Sequence, residues 1–170
     1  MKCEKCHQAC HKTVGNYKYT ESGLENVLLK NIPIYKCGCG HTIIEIPAFM
    51  QLHAVIARVI VRKPTTLSGE EIRFLRKAIH KSSKELASLL GVTPVTVTRW
   101  EKGYNRINPA YEKILKTVVY TSFDGKVKNT IAVLEEIRKA EQKQTSKNVS
   151  SPLSFIARKA QLSYRYAQAG

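Results

Sequence analysis

A chain of 170 residues that is 43% hydrophobic has enough apolar content for a packed core, in one domain or two small ones, and is not a disordered tail. Its formal charge of +15 is spread along the whole length. That distribution points to a polyanionic partner, because each Lys or Arg set against a phosphate releases condensed counterions. The longest apolar stretch, around Ala54 to Val61, carries Arg58 and is far too short to span a bilayer, so a membrane-spanning role is excluded and the cytoplasm is the expected location.

All five cysteines fall in the first quarter of the chain, at positions 3, 6, 10, 37 and 39, a clustering unlike a secreted disulfide framework. Cys3 and Cys6 have CxxC spacing, which lets two thiolates converge from one tight turn onto a tetrahedral Zn²⁺. Cys37 and Cys39, in YKCGCGH, have one residue between them, and Gly38 and Gly40 allow the backbone to turn tightly there. The expected ligands are Cys3, Cys6, Cys37 and Cys39. The fourth position stays open, since His7, Cys10, His11 and His41 are close enough in sequence to take the place of Cys39. Between the pairs, NYKYTESGLENVLLKNIPIYKC reads as two or three short strands with a turn at Ser22 and Gly23 and a bend at Pro33. Such strands bury little by themselves, so a metal is expected to staple them. A catalytic zinc keeps one position open for water; four thiolates leave none, and no chemistry is assigned to this metal.

HTIIEIP reads as a last short strand ended by Pro47. Phe49, Leu52, Val55, Ile56, Val59 and Ile60 then recur every three or four residues, giving an amphipathic helix over about Ala48–Arg62 whose apolar face is expected to pack on the strands. RKPTTLS breaks the pattern, so a first module is drawn over residues 1–63 and a second over 64–124.

In the second module, SGEE is a capping box of Ser68 and Glu71 opening a helix with Ile72, Leu75 and Ile79 on one face. SSKE repeats the device with Ser82 and Glu85 ahead of Leu86, Ala87, Leu89 and Leu90, and Gly91 ends that helix as a left-handed cap. GVTPVTVTRWEKG follows, where the alternation of Val92, Val95 and Val97 with threonines mimics a strand. Pro94 would break a sheet ladder from inside a strand, whereas Thr93 as N-cap with Pro94 at the first helical position starts a helix without strain. Val97 and Trp100 then point inward, and Val95, Thr96 and Arg99 outward. Two short helices joined through Gly91 make a helix-turn-helix whose second helix enters the major groove, where small hydroxyls, methyls and one arginine suit thymine contact and guanine readout. The expected DNA-facing set is Lys84, Thr93, Val95, Thr96, Thr98, Arg99, Lys102 and Arg106.

SSKELASLLGVTPVTVTRWEKGYNRINP resembles the Xre or Cro type of helix-turn-helix. With the cysteine pairs before it, the order over roughly residues 1–120 resembles the MqsA antitoxin family, the YgiT-type zinc-finger and helix-turn-helix proteins. That resemblance implies zinc held by two CxxC pairs, with Cys3, Cys6 and Cys37 at matching positions; Gly40 stands where the fourth cysteine falls, and Cys39 is one residue early. It also implies base reading by Arg99, with Val95 in place of a polar reader, dimeric binding to a palindromic operator, repression of the chain's own operon, and neutralisation of a partner toxin by the zinc module.

PAYEKILKTVVY reads as a further helix, with Tyr111, Ile114, Leu115 and Val118 closing the core. Residues 125–170 are expected to hold a helix over about Lys126–Lys143, with a stripe of Val127, Ile131, Leu134 and Ile137 for a homodimer contact, then a polar linker and a basic, aromatic tail without an assigned role. The fold class is therefore α+β: a small zinc-stapled β-rich domain, an all-α Xre/Cro-type domain and a helical carboxyl-terminal extension. The expected function is a DNA-binding repressor and antitoxin. A stand-alone regulator with a metal- or redox-responsive cysteine module is the alternative within this architecture. A zinc or thiol enzyme is disfavoured by the absence of HExxH, of an activated nucleophile and of a phosphate loop.

Overall fold

The computed structural model describes residues 1–124 and two later strands, 153–158 and 163–167. The chain forms two compact units, one of residues 1–52 with the carboxyl-terminal strands and one that begins at His53.

In the first unit, β1 (His11–Lys18) and the long β2 (Val27–Lys36) form an antiparallel pair. The connection carries a 3-10 turn over Thr20–Ser22 that closes on Gly23 at φ 77°, where the turn was expected. Val27, Leu29 and Ile32 of β2 are buried, and the odd step from 29 to 32 has a cause in the ladder. The register shifts between Gly15 and Tyr17, and Asn31 takes φ 59° in this bulge. The extra residue returns Ile32 to the buried face that strict alternation would deny it.

The other edge of β2 is shared end to end by two strands. β3 (Thr42–Ile44) pairs antiparallel with residues 34–36, and β4 (Leu153–Arg158) pairs parallel with Val27–Lys30. Pro33, which has no N–H to donate, falls in the gap between them. β5 (Ser163–Ala167) pairs antiparallel with β4 and completes a five-stranded sheet. The basic, aromatic tail, left without a role by the sequence, thus supplies two strands to the amino-terminal sheet. The reason is physical: β2 is ten residues long while β3 covers three of them, leaving a ladder edge for another strand.

In the second unit lie most of α1 (Phe49–Val61), then α2 (Gly69–Ala78), α3 (Ser83–Leu90), α4 (Pro94–Glu101) and α5 (Pro109–Asp124). Its core gathers Ile56, Ile60, Ile72, Leu75, Leu86, Val97, Trp100, Leu115 and Val119. Two expectations need correction. The contact boundary falls inside α1, not at residue 63, and the helix serves the helical core: the His53 ring lies 5.3 Å from Phe74, and Arg58 donates to the Phe123 carbonyl at 3.2 Å. On α5, Ile114 is 45% exposed, and the buried positions are Glu112, Leu115, Lys116 and Val119. Lys116 there pairs with Glu112 at 2.8 Å and donates to the Lys63 carbonyl at 2.9 Å, while Lys63 pairs with Glu71. A buried ammonium tolerates desolvation only with such partners. The expected helix over 126–143 and its dimer stripe lie outside the described residues.

Candidate nucleic-acid interface and metal centre

The caps that frame α3 and α4 are local and complete. The Ser82 side chain accepts the Glu85 N–H at 3.2 Å, and the Glu85 carboxylate accepts the Ser82 N–H at 2.7 Å; the same reciprocal box joins Ser68 and Glu71 on α2. The Ser82 amide holds the Glu85 carboxyl below its ordinary range. Gly91 has φ 68°, and the Val92 N–H reaches back to the Ala87 carbonyl at 2.9 Å, closing the turn between the helices. Thr93 Oγ1 accepts the Thr96 N–H at 3.2 Å, with Pro94 in the first turn.

Those caps orient α4. Val97 and Trp100 are buried, and the indole packs 5.6 Å from the Tyr111 ring. Val95 is 60% exposed, Thr93 and Arg99 are exposed, and Thr96 and Thr98 are half-buried. The Thr98 hydroxyl donates to the Pro94 carbonyl at 3.0 Å, so towards a ligand this side chain presents its methyl group and oxygen lone pairs. Lys84 lies exposed in the first turn of α3, and Lys102 and Arg106 are exposed beyond α4. Tyr104, 73% exposed in the following loop, was not among the expected residues, since nothing in its spacing set it apart.

The clamp on α4 also escaped sequence reasoning. Buried Glu101 at its last position receives Arg76 of α2 in a two-pronged pair, Nε to Oε1 at 2.5 Å and Nη2 to Oε2 at 3.1 Å. The remaining arm of Arg76 donates to the Lys81 carbonyl just before α3, at 2.9 Å. One guanidinium therefore holds three helices of the motif in register. Gly69 lets α2 begin hard against α4: a Cβ there would stand 2.6 Å from the carbonyl oxygens of Trp100 and Glu101.

In the first unit, two knuckles bring the cysteines together. Cys3 N–H donates to the Gln8 carbonyl and its own carbonyl accepts from His7, which takes φ 59°. Across from it, Gly40 N–H donates to the Cys37 carbonyl at 3.0 Å, Gly40 has φ 84°, and Cys37 N–H donates to His41. The sulfurs of Cys3, Cys6, Cys37 and Cys39 all lie within 4.8 Å of one another. Cys6 and Cys37 are 3.3 Å apart, and Cys3 and Cys39 are 3.6 Å apart. A tetrahedral ion with metal–sulfur bonds near 2.3 Å sets its thiolates about 3.8 Å apart, so the cluster has the right span. CxC spacing in the second knuckle is accommodated because Gly40 makes the turn.

The protonation of the cluster points the same way. The Cys6 amide, together with those of Lys5 and the His41 ring, draws the Cys3 thiol down to about 5 against the effect of burial. Cys37 is lowered chiefly by the Cys39 amide. For Cys6 the Gln8 amide favours the thiolate, but the sulfurs of Cys37, Cys39 and Cys3 outweigh it and push the group up to about 12. Four thiolates at this spacing repel one another unless a cation sits among them, which is the chemistry of a metal-binding donor set. Cys10 is raised by burial and by the neighbouring Cys37 and Cys3; His7 and His11 lie exposed.

Among known proteins, residues 72–116 match a helix-turn-helix family model. The match runs from α2 into α5 and contains both capped helices and the Arg76–Glu101 pair. No curated protein and no solved structure matches the chain. The chain thus carries a double-stranded-DNA-binding helix-turn-helix domain of the kind found in transcriptional regulators and, earlier in the sequence, a cysteine cluster able to hold a metal ion. Among the described residues, no helix is long and apolar enough to cross a membrane.

Proposed function

We propose that this chain is a repressor that binds a palindromic operator at its own operon as a homodimer, and that it is the antitoxin of a toxin–antitoxin pair. The observation that carries the DNA reading is the outward face of α4. Arg99 and Val95 are exposed beside Thr93 and Thr96 while Val97 and Trp100 hold the helix down, so the exposed side chains are free to meet base edges. The antitoxin reading is supported by the order of a cysteine module ahead of this domain and by the resemblance that order carries. In this reading the cluster holds Zn²⁺ through Cys3, Cys6, Cys37 and Cys39. The four thiolates would hold the ion between the two knuckles and leave no position for water, so the module would serve as a binding surface and not an enzyme.

Fluorescence anisotropy with DNA from upstream of the reading frame tests the first part. Arg99→Ala should weaken operator binding by roughly 1–3 kcal/mol and relax preference at one base pair per half-site, whereas Lys84→Ala should weaken all sequences alike and lower the salt slope by about one. Unchanged affinity and base preference in Arg99→Ala would remove α4 from the readout. Capture of the neighbouring gene's product by the full chain tests the second part; no capture would leave a stand-alone regulator.

A further inference from the structure

The second knuckle offers one more donor than a tetrahedral ion needs. Cys3 Sγ stands 3.6 Å from Cys39 Sγ and 3.5 Å from His41 Nδ1. With a metal–sulfur bond near 2.3 Å and a metal–imidazole bond near 2.05 Å, a tetrahedral site has sulfur–sulfur edges of about 3.8 Å and sulfur–nitrogen edges of about 3.6 Å. Both neighbours of Cys3 therefore lie close to the edge length their own donor atom requires. They differ in accessibility and in placement. Cys39 is exposed and belongs to the mutually close set of sulfurs, whereas His41 is half-buried and stands outside that set. His41 is also anchored to the knuckle, since its carbonyl accepts the Cys37 N–H at 2.9 Å.

We propose that His41 is a standby ligand: Cys39 holds the fourth position at rest, and His41 Nδ1 takes it when the exposed Cys39 thiolate is lost. The inference rests on the reading of this cluster as a metal site. It assigns the site a fourth position that exchanges between thiolate and imidazole while Cys3, Cys6 and Cys37 stay in place. A cluster with no further donor beside it would have only solvent to fill a vacated position. Here the backbone turn that brings Cys39 in also brings a nitrogen beside Cys3, within a short side-chain movement of the fourth position. The ion, and with it the fold of the knuckles, then survives removal of its most exposed ligand.

Cobalt(II) titration of the full-length protein tests this, because ligand-field and sulfur-to-metal charge-transfer absorption report donor type without reference to DNA binding. The wild type and His41→Ala should both take up one Co²⁺ per chain with the spectrum of four thiolates. Cys39→Ser should retain one Co²⁺ per chain, with ligand-field bands shifted to shorter wavelength and charge-transfer intensity reduced in the proportion of three thiolates to four. Cys39→Ser combined with His41→Ala should lose the ion, and so should Cys3→Ser. Failure of the wild type to bind cobalt would overturn the metal reading itself. Loss of cobalt from Cys39→Ser, with the wild type competent, overturns only the standby role. A four-thiolate spectrum in Cys39→Ser overturns it in favour of Cys10, and a changed spectrum in His41→Ala overturns the order of the two ligands.

Discussion

Arg76→Met is the most informative single change to the DNA-binding unit, because one side chain serves three helices. Arg76 has 13% of its side-chain surface exposed and Glu101 has 6%, and removing the guanidinium leaves the Glu101 carboxylate with Arg73, 46% exposed and 3.6 Å away. It also strips the Lys81 carbonyl of its donor. Breaking a buried pair from one side costs roughly 3–5 kcal/mol, because a charge is left desolvated without compensation. Arg73 recovers part of that, so the lower end, about 3 kcal/mol, is expected. The double variant Arg76→Met with Glu101→Leu removes both charges and should be more stable than Arg76→Met alone. Urea unfolding of the four proteins in the cycle measures this, with the interaction energy read as the departure from additivity and the slope in denaturant held constant as the check on two-state behaviour. A loss below about 1 kcal/mol in Arg76→Met, or a double variant as costly as the sum of the singles, would refute the view that the pair is a buried clamp and place it among weak surface ion pairs.

Gly69→Ala should destabilise the helical unit by roughly 1–3 kcal/mol, since the added methyl collides with two backbone carbonyls that cannot swing away. At an ordinary helical position the same change stabilises by about 0.4–1 kcal/mol, so the sign of the shift in thermal unfolding decides the matter. Ending the chain at residue 148 should speed amide exchange across Val27–Lys30, whose ladder partner is β4, while α2 to α4 keep their protection; unaltered exchange in β2 would contradict the pairing. Glu85, whose carboxyl is held low by the Ser82 amide, stabilises α3 at neutral pH and loses that contribution as the pH falls below the ordinary carboxylate range. Glu85→Gln should remove this segment of the acid-unfolding profile, and an identical profile in the variant would show that the capping box carries none of it.

What the sequence determined by itself is whatever is written within four or five residues. Ser68 with Glu71, Ser82 with Glu85, Gly91 and Thr93 with Pro94 each satisfy backbone donors or turn geometry locally, so helix starts and stops, and the choice of helix over strand at Val95 and Val97, were legible without any partner. The cysteine pairs were legible for the same reason, as each knuckle is a short turn, although only the fold could set Cys39 and His41 both beside Cys3. Tertiary structure alone decided the rest. α1 carries an apolar face that would suit a sheet or a helical layer equally, and periodicity does not say which. Arg76 and Glu101 are 25 residues apart, and in the chain they look like two more surface charges; only burial between α2 and α4 turns them into a clamp. The carboxyl-terminal strands join the sheet through the backbone ladder of β2, a surface with no side-chain pattern to announce it, more than a hundred residues along the chain from its partner.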